Sequence, residues 1–414
     1  MKVINISLYD RMGGASIAAY RQHQALLNAG IDSEMWVRFK LTDDPTVNRY
    51  NPSIKLNHRI NRIFRRLHLK HERKSKITGE FFQDSSEFFG EELEGLPKSD
   101  VINMHYAWDF IHYPSFFNKV GKRTPIVVTM HDMSTVTAGC SYTGQCTNFL
   151  EKCGCCPILS RPQNHDLSRK QWERKFKAYH SIERRKIHFV SCSTWLSAEA
   201  KRSGLLKDLP ISVIPNGVDT NLFKPLDRES AKKILDIPLN KPVLAFSAAS
   251  VNDERKGLKY LFEAISALKT KPFILTWGKN IPPKIDGISG LHLGNIENER
   301  MMAVAYNAAD ILVVPSIQDN LPNVILESMS CGLPVVAFDS GGISDMVINE
   351  TTGLLAQTGN SYLLSTCIQR LIRDDKLRNH CALMGPKVVK EQFSMHLNAR
   401  NYIALYESLL DKSK

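Results

Sequence analysis

No apolar run in this 414-residue chain approaches the roughly 20 residues a membrane-spanning helix needs, which sets aside an integral helical membrane protein. The opening stretch from Met1 to Leu8 lacks both a secretory apolar region of sufficient length and a small-residue cleavage site, so a cytoplasmic protein is expected. A full G-x-G-x-x-G followed by an acid at the right distance is missing, which counts against a dinucleotide oxidoreductase. No helix-turn-helix, zinc-finger or aromatic-interleaved RNA motif is found either, so no nucleic-acid partner is expected. Acids are outnumbered, 42 Asp and Glu against 54 Lys and Arg, for a net charge of +12. Outside one cluster, cysteine is scarce.

What is present is apolar mass. At 43% hydrophobic residues the chain is too apolar to be disordered and long enough for two packed cores. The basic residues are uneven: Lys55, Arg59, Arg62, Arg65, Arg66, Lys70, Arg73, Lys74 and Lys76 fall in one interval with only Glu72 against them. Ile60, Ile63, Phe64 and Leu67 recur there at helical spacing. The interval 55–76 therefore reads as a basic amphipathic helix on an anionic membrane surface, or as a solvated helix face packed on its own domain.

Strand-like apolar runs alternate with helical patterns in both halves, which predicts an α/β fold with parallel sheets. Val3 to Leu8, Asp100 to His105, Ile126 to His131 and Phe189 to Cys192 read as strands in the first half. Val243 to Ser247, Phe273 to Trp277, Leu291 to Leu293, Ile311 to Val314 and Val335 to Phe338 do so in the second. Between the halves, Ile214-Pro215-Asn216-Gly217-Val218-Asp219 is a turn-rich connection.

The densest information lies from Ile311 to Phe338. A buried strand ends at Pro315, a loop carries Asp319, a short helix over 324–331 carries Glu327, and Gly332 with Pro334 closes it before the next strand. Ligands bind at the carboxyl ends of strands in such sheets, where a helix N-terminus offers N–H groups to phosphate. Two acids bracketing that helix can hydrogen-bond sugar hydroxyls, or can be an ordinary loop cap and a first-turn helix acid.

This segment resembles the E-x7-E motif of the retaining glycosyltransferases of family four, with Asp319 at the first Glu, Glu327 at the second and Gly332-Leu333-Pro334-Val335 continuing the pattern. The connection at Ile214 to Asp219 resembles the interdomain I-P-N-G-V-D of the same family, so the likeness spans nearly the whole chain. It implies a GT-B architecture of two Rossmann-like domains facing a cleft. The expected domains are an N-terminal acceptor-side domain (1–214) with a Cys-rich insertion (138–157), a C-terminal donor domain (215–390), and a helix (391–414) crossing back to the N-terminal domain. By the resemblance Glu327 holds the ribose of the donor, while Asp319 and the loop around Asn320, Leu321 and Asn323 face the transferred sugar. Asp in place of Glu keeps the charge and shortens the reach by one methylene.

Three further groups join the expected site. Gly13 and Gly14 let the backbone approach a ligand before a helical segment from Ile17 to Leu27, although a strand-to-helix turn needs no ligand. Lys256 matches the family's Lys and Arg255 is a candidate for its Arg, whose usual position falls near Ser250; cations here neutralise a departing diphosphate without a metal. The alternative is an exposed basic pair at a helix start. His131 ends a strand, and family members carry a His in a similar place to contact the donor sugar; a buried structural His is the competing reading, for it and for His105.

The cysteine cluster comprises Cys140, Cys146, Cys153, Cys155 and Cys156. Cys153 and Cys156 form a C-x2-C pair that Cys140 and Cys146 complete to a tetrahedral structural zinc set, with reduced thiols or disulfides as alternatives. The arrangement also resembles a subgroup of these transferases that build surface polysaccharides. The expected function is a metal-independent retaining transferase acting on a nucleotide-diphosphate-sugar and a glycan or lipid-linked acceptor. A nucleotide-sugar epimerase of the same fold and a non-catalytic sugar- or membrane-binding protein are the alternatives.

Overall fold

The computed structural model describes residues 1–50, 81–82, 96–108, 110–121, 123–284 and 286–411. The basic interval 55–76 lies outside the described residues. Two compact units are found, Met1–Pro215 with Asn398–Lys414, and Asn216–Leu397.

The first unit is built on seven parallel strands: β1 (Lys2–Tyr9), β2 (Asp32–Phe39), β3 (Val47–Arg49), β4 (Val101–Met104), β5 (Ile126–Met130), β6 (Ile187–Ser191) and β7 (Ile211–Val213). Their order is β3-β2-β1-β4-β5-β6-β7. Strands β4 and β5 are buried along their whole length, as their continuous apolar runs require when helices cover both faces of a parallel sheet. Ile4, Ile6, Ile102, Met104, Ile126, Val128 and Phe189 pack against Phe116, Phe117, Tyr179 and Leu196 from helices Tyr113–Lys119, Leu167–His180 and Thr194–Arg202.

The helix Met395–Asp411 joins this unit from Asn398 onward. Its Tyr406 hydroxyl accepts from Asn103 Nδ2 at 2.9 Å and Gln22 Nε2 at 3.2 Å, and Tyr402 lies 3.0 Å from Thr129 Oγ1. Two buried phenols thereby satisfy the polar side chains of β4, β5 and helix Gly14–Asn28.

The second unit has six parallel strands: β8 (Val243–Ser250), β9 (Phe273–Lys279), β10 (Gly290–His292), β11 (Ile311–Val314), β12 (Val335–Asp339) and β13 (Gly353–Gln357). They are ordered β10-β9-β8-β11-β12-β13. Leu244, Phe246, Ile311, Val313, Val336 and Phe338 pack on Leu261 and Ile265 of helix Leu258–Ser266 and on Leu364 and Ile368 of helix Ser361–Arg373. Both sheets reverse direction beside their first strand, so each has a topological switch point, β1/β4 in one and β8/β11 in the other. Among the described residues no helix is long and apolar enough to cross a membrane.

Candidate active site

In the second unit the switch point gathers the predicted residues. After β8 the chain makes a short 3-10 turn, Glu254–Lys256, capped by Asp253, whose Oδ1 accepts from Arg255 N at 3.0 Å. Gly257 follows at φ 74, and a Cβ there would collide with the Pro315 carbonyl oxygen at the end of β11. Glycine is thus what lets the two loops touch, and Ile317 N seals them by donating to Arg255 O at 2.9 Å. The contact delivers Lys256 Nζ to 2.5 Å from Asp319 Oδ2, with Arg255 Nη1 3.5 Å from the same oxygen. Arg255 also donates to Gln318 O at 2.9 Å and pairs with Asp253 at 3.2 Å. Asp319 is 6% exposed, so the two cations supply the neutralisation that water does not.

Asp319 Oδ1 accepts from Asn320 N at 3.1 Å, and the buried Asn320 and Leu321 lead into helix Asn323–Ser330. No side chain caps this helix. Asn323 Oδ1 accepts from Asn216 Nδ2 at 3.2 Å. Glu327 is 3% exposed and its Oε2 accepts from the Tyr306 hydroxyl at 2.7 Å; the Tyr306 ring is held edge-on to Trp277, centroids 5.1 Å apart. Arg255, Lys256, Asp319, Asn320, Leu321, Asn323 and Glu327 therefore fall in one region of one unit. The cations are part of the same ion cluster as Asp319 rather than a separate exposed pair.

In the first unit, Gly13 (φ 81) is the N-cap of helix Gly14–Asn28, and both glycines are exposed. The buried Ser7 and Ser16 hydroxyls find no hydrogen-bond partner among the described residues. His131 follows β5 and stacks on His105, which follows β4; His105 Nδ1 and His131 Nε2 are 3.0 Å apart. Cys192, after β6, places its Sγ 3.8 Å from His131 Nδ1. Burial lowers His131 to about 4, and burial together with the neighbouring His131 and His23 holds His105 well below the usual range, so both rings are neutral near pH 7.

The family described as Glycosyltransferase Family 4 matches residues 12–222, just over half of the chain, and that described as Glycosyl transferases group 1 matches residues 241–374. This chain belongs to glycosyltransferase family 4. An N,N'-diacetylbacillosaminyl-diphospho-undecaprenol alpha-1,3-N-acetylgalactosaminyltransferase of Campylobacter jejuni is 30% identical to this family 4 protein over 224 residues, 52% of this chain and 58% of the relative. The Escherichia coli K12 protein WcaC, described for colanic acid biosynthesis, is 25% identical over 302 residues, 68% of this chain and 71% of that one. The chain thus spans a little over half the length of the first of these relatives. Sucrose-phosphate synthase from Thermosynechococcus elongatus superposes with a TM-score of 0.70 at 19% identity, covering 99% of this chain and 100% of that one. Two Rossmann-like units with parallel sheets and this likeness give the family 4 protein a GT-B fold.

The family 4 protein carries its cysteine-rich segment beside the β5 loop. Cys140, Cys153 and Cys156 are buried, Cys146 is half-buried and Cys155 exposed; all nine cysteines of the chain are free thiols. Burial pushes the Cys140 and Cys153 thiols up to about 12. Among the described residues no group of three or more His, Cys, Asp or Glu side chains is placed to hold a metal ion, so the four thiols expected for zinc are near one another without forming such a set. What fixes the segment is helix Leu167–His180. Asp166 accepts from Cys156 N at 2.8 Å while capping that helix. Gln171 donates to the Phe82 and Ala138 carbonyls. The fully buried Lys175 ammonium donates to Ser134 O at 2.6 Å and Thr137 O at 2.9 Å, 3.9 Å from the centre of the Trp108 ring.

Sequence reasoning missed Tyr306, Cys192, Asp166, Gln171 and Lys175. Tyr306, Cys192, Gln171 and Lys175 act through partners remote in sequence; the local signals were Asp166 just before a helix start, and Gln171 and Lys175 among the helical positions that face the core.

Proposed function

We propose that this family 4 protein transfers a sugar, with retention of configuration and without a metal, from a nucleotide-diphosphate-sugar to a glycan or lipid-linked acceptor in the assembly of a surface polysaccharide or lipopolysaccharide. The observation that carries this reading is the convergence of Lys256 and Arg255 on the buried Asp319 at the β8/β11 switch point, next to an N-terminally uncapped helix holding Glu327. A diphosphate arriving there meets two cations already positioned and helix N–H groups already aligned, so little reorganisation opposes charge development on the leaving group.

In this reading Glu327, oriented by Tyr306, accepts hydrogen bonds from the ribose hydroxyls. Asp319, with the backbone from Asn320 to Asn323, orients the transferred sugar. Lys256 and Arg255 exchange part of their interaction with Asp319 for the diphosphate. The leaving phosphate oxygen takes the acceptor's proton as the new glycosidic bond forms on the same face, and the neutral His131 orients a donor sugar hydroxyl. The cysteine-rich motif and the relatives named for an undecaprenol-linked and a colanic acid glycan support the choice of acceptor class.

The test is nucleotide release by the purified protein from a panel of UDP-, GDP-, ADP- and TDP-sugars, with and without a crude glycolipid acceptor. Release confined to one donor and raised by acceptor is expected; interconversion of free nucleotide-sugars without acceptor would replace transfer by epimerisation.

A further inference from the structure

A continuous series of polar side chains crosses the first sheet diagonally, from the amino end of β3 to the carboxyl ends of β5 and β6. Thr46 Oγ1 lies 2.6 Å from Asp44 Oδ1 and 2.8 Å from His23 Nε2. His23 Nδ1 lies 2.8 Å from Ser33 Oγ, which is 3.0 Å from Asn5 Nδ2. Asn5 Oδ1 is 3.4 Å from His105 Nε2, His105 Nδ1 is 3.0 Å from His131 Nε2, and His131 Nδ1 is 3.8 Å from Cys192 Sγ. His23, Ser33, Asn5 and His105 are all buried.

We propose that the Asp44 carboxylate fixes the tautomer of His131 through this series, making Asp44, Thr46, His23, Ser33, Asn5 and His105 positioning residues for His131. The direction of every link follows from the first. A carboxylate only accepts, so the Thr46 hydroxyl spends its one proton on Asp44 and must accept from His23 Nε2–H. A neutral His23 then has an unprotonated Nδ1, to which Ser33 donates, and the Ser33 oxygen accepts from the Asn5 amide nitrogen. That turns the Asn5 carbonyl toward His105, which donates from Nε2 and is left with Nδ1 as acceptor for His131 Nε2–H. His131 Nδ1 is therefore the lone-pair nitrogen, and it accepts from the Cys192 thiol.

Reversing any one link would leave two donors or two acceptors face to face in a buried interior. Asp44 is secured as the anion: burial pushes its carboxyl up, but the Thr46 hydroxyl and amide and the Tyr20 phenol outweigh this and hold it below the usual value.

The consequence for the proposed reaction, which rests on His131 meeting a donor sugar, is that His131 offers an acceptor nitrogen. A thiol is a weak donor at this distance, so an approaching sugar hydroxyl, a stronger donor, can replace it.

The test reads the imidazole nitrogens directly, by long-range proton–nitrogen correlation spectra of the histidine-15N-labelled full chain at pH 7, with His131→Gln to assign the signal. The expected His131 pattern is a proton on Nε2 and none on Nδ1. Thr46→Val cuts the link to Asp44 and should give His131 a mixture of tautomers, while Thr46→Ser, which keeps the hydroxyl, should restore the single form. An Nδ1-protonated or doubly protonated His131 in the unaltered protein would overturn the proposal, as would a Thr46→Val spectrum that changes at His23 alone. If Thr46→Val does not fold, the unaltered protein and Thr46→Ser still decide the tautomer. These spectra need no substrate, so the tautomer stands or falls separately from sugar transfer. Where transfer is measured, kcat/KM should drop several-fold in Thr46→Val and recover in Thr46→Ser.

Discussion

The Lys256 ammonium stands 2.5 Å from Asp319 Oδ2, and Arg255 reaches the same oxygen from 3.5 Å, so one buried carboxylate organises both cations of the second unit's switch point. Lys256→Met leaves Asp319 short of compensation. Breaking a buried pair costs about 3–5 kcal/mol, and with Arg255 still present the lower end is expected in chemical denaturation. Lys256→Met with Asp319→Asn should regain most of that stability without regaining nucleotide affinity in calorimetric titration. Unchanged nucleotide affinity in Lys256→Met would remove the lysine from the donor site.

Tyr306→Phe deletes the hydroxyl 2.7 Å from Glu327 Oε2 and little else. Hydrogen bonds to charged groups contribute about 1.5–3 kcal/mol to folding stability, so Tyr306→Phe should lose stability of that order, while nucleotide-sugar affinity should fall in Tyr306→Phe and at least as much in Glu327→Gln. Titration of both variants with the preferred donor measures this. No loss in either would separate Glu327 from the ribose.

Gly257 and Gly13 both have positive φ but differ in surroundings. Gly257→Ala drives a methyl into the Pro315 carbonyl, whereas a Cβ at Gly13 has no atom within 4 Å. The left-handed helical backbone of Gly257 alone costs a side chain about 1–2 kcal/mol, and Gly13, with ψ 163, sits where almost only glycine goes, at about 1–3 kcal/mol; the Pro315 collision should still make Gly257→Ala the more destabilising. Denaturation curves of the two variants make the comparison. In Gly257→Ala the loop junction also opens, so nucleotide binding should fall with stability.

His23 and His131 are lowered to about 4, both by burial first. Unfolded histidine titrates near 6.5, so between these values the unfolded chain binds more protons than the folded one. The stability tied to these rings is complete above about pH 6.5 and is lost progressively as pH falls toward 4. Denaturation at pH 7 and pH 4.5 should show the decrease, and His23→Gln, which titrates nothing, should make the slope shallower.

Cys155 is exposed, while Cys140, Cys153 and Cys192 are buried with thiols pushed up to about 12. Iodoacetamide reacts with thiolate, so at pH 7.5 mass spectrometry should find Cys155 alkylated well before those three. Rapid labelling of Cys192 would mean that the carboxyl end of β6 opens in solution.

Most of the strands legible in the sequence are those buried on both faces, β10 (Gly290–His292) being the exception. Ile126 to Met130, Ile311 to Val314 and Val335 to Phe338 are continuous apolar runs, and the structure has strands there. Strand β2 was not read, because Asp32, Glu34 and Arg38 interrupt its apolar residues; its outer position in the sheet buries only alternate side chains. β3 and β7 are three residues each, too short for any period to show.

The sequence by itself determined the chemistry available: two acids eight positions apart around a helix start, adjacent cations after a strand, and a histidine at a strand end. Local spacing carries these because each is confined to one strand-turn-helix unit. Only the tertiary structure decided which groups meet. Lys256 and Asp319 are 63 positions apart and touch because β8 and β11 are neighbours across a switch point. Tyr306 reaches Glu327 from a different helix, Glu299–Asn307. Asp44 connects to His131 only because the strands between them lie side by side, so that buried donors and acceptors pair across the sheet instead of along the chain.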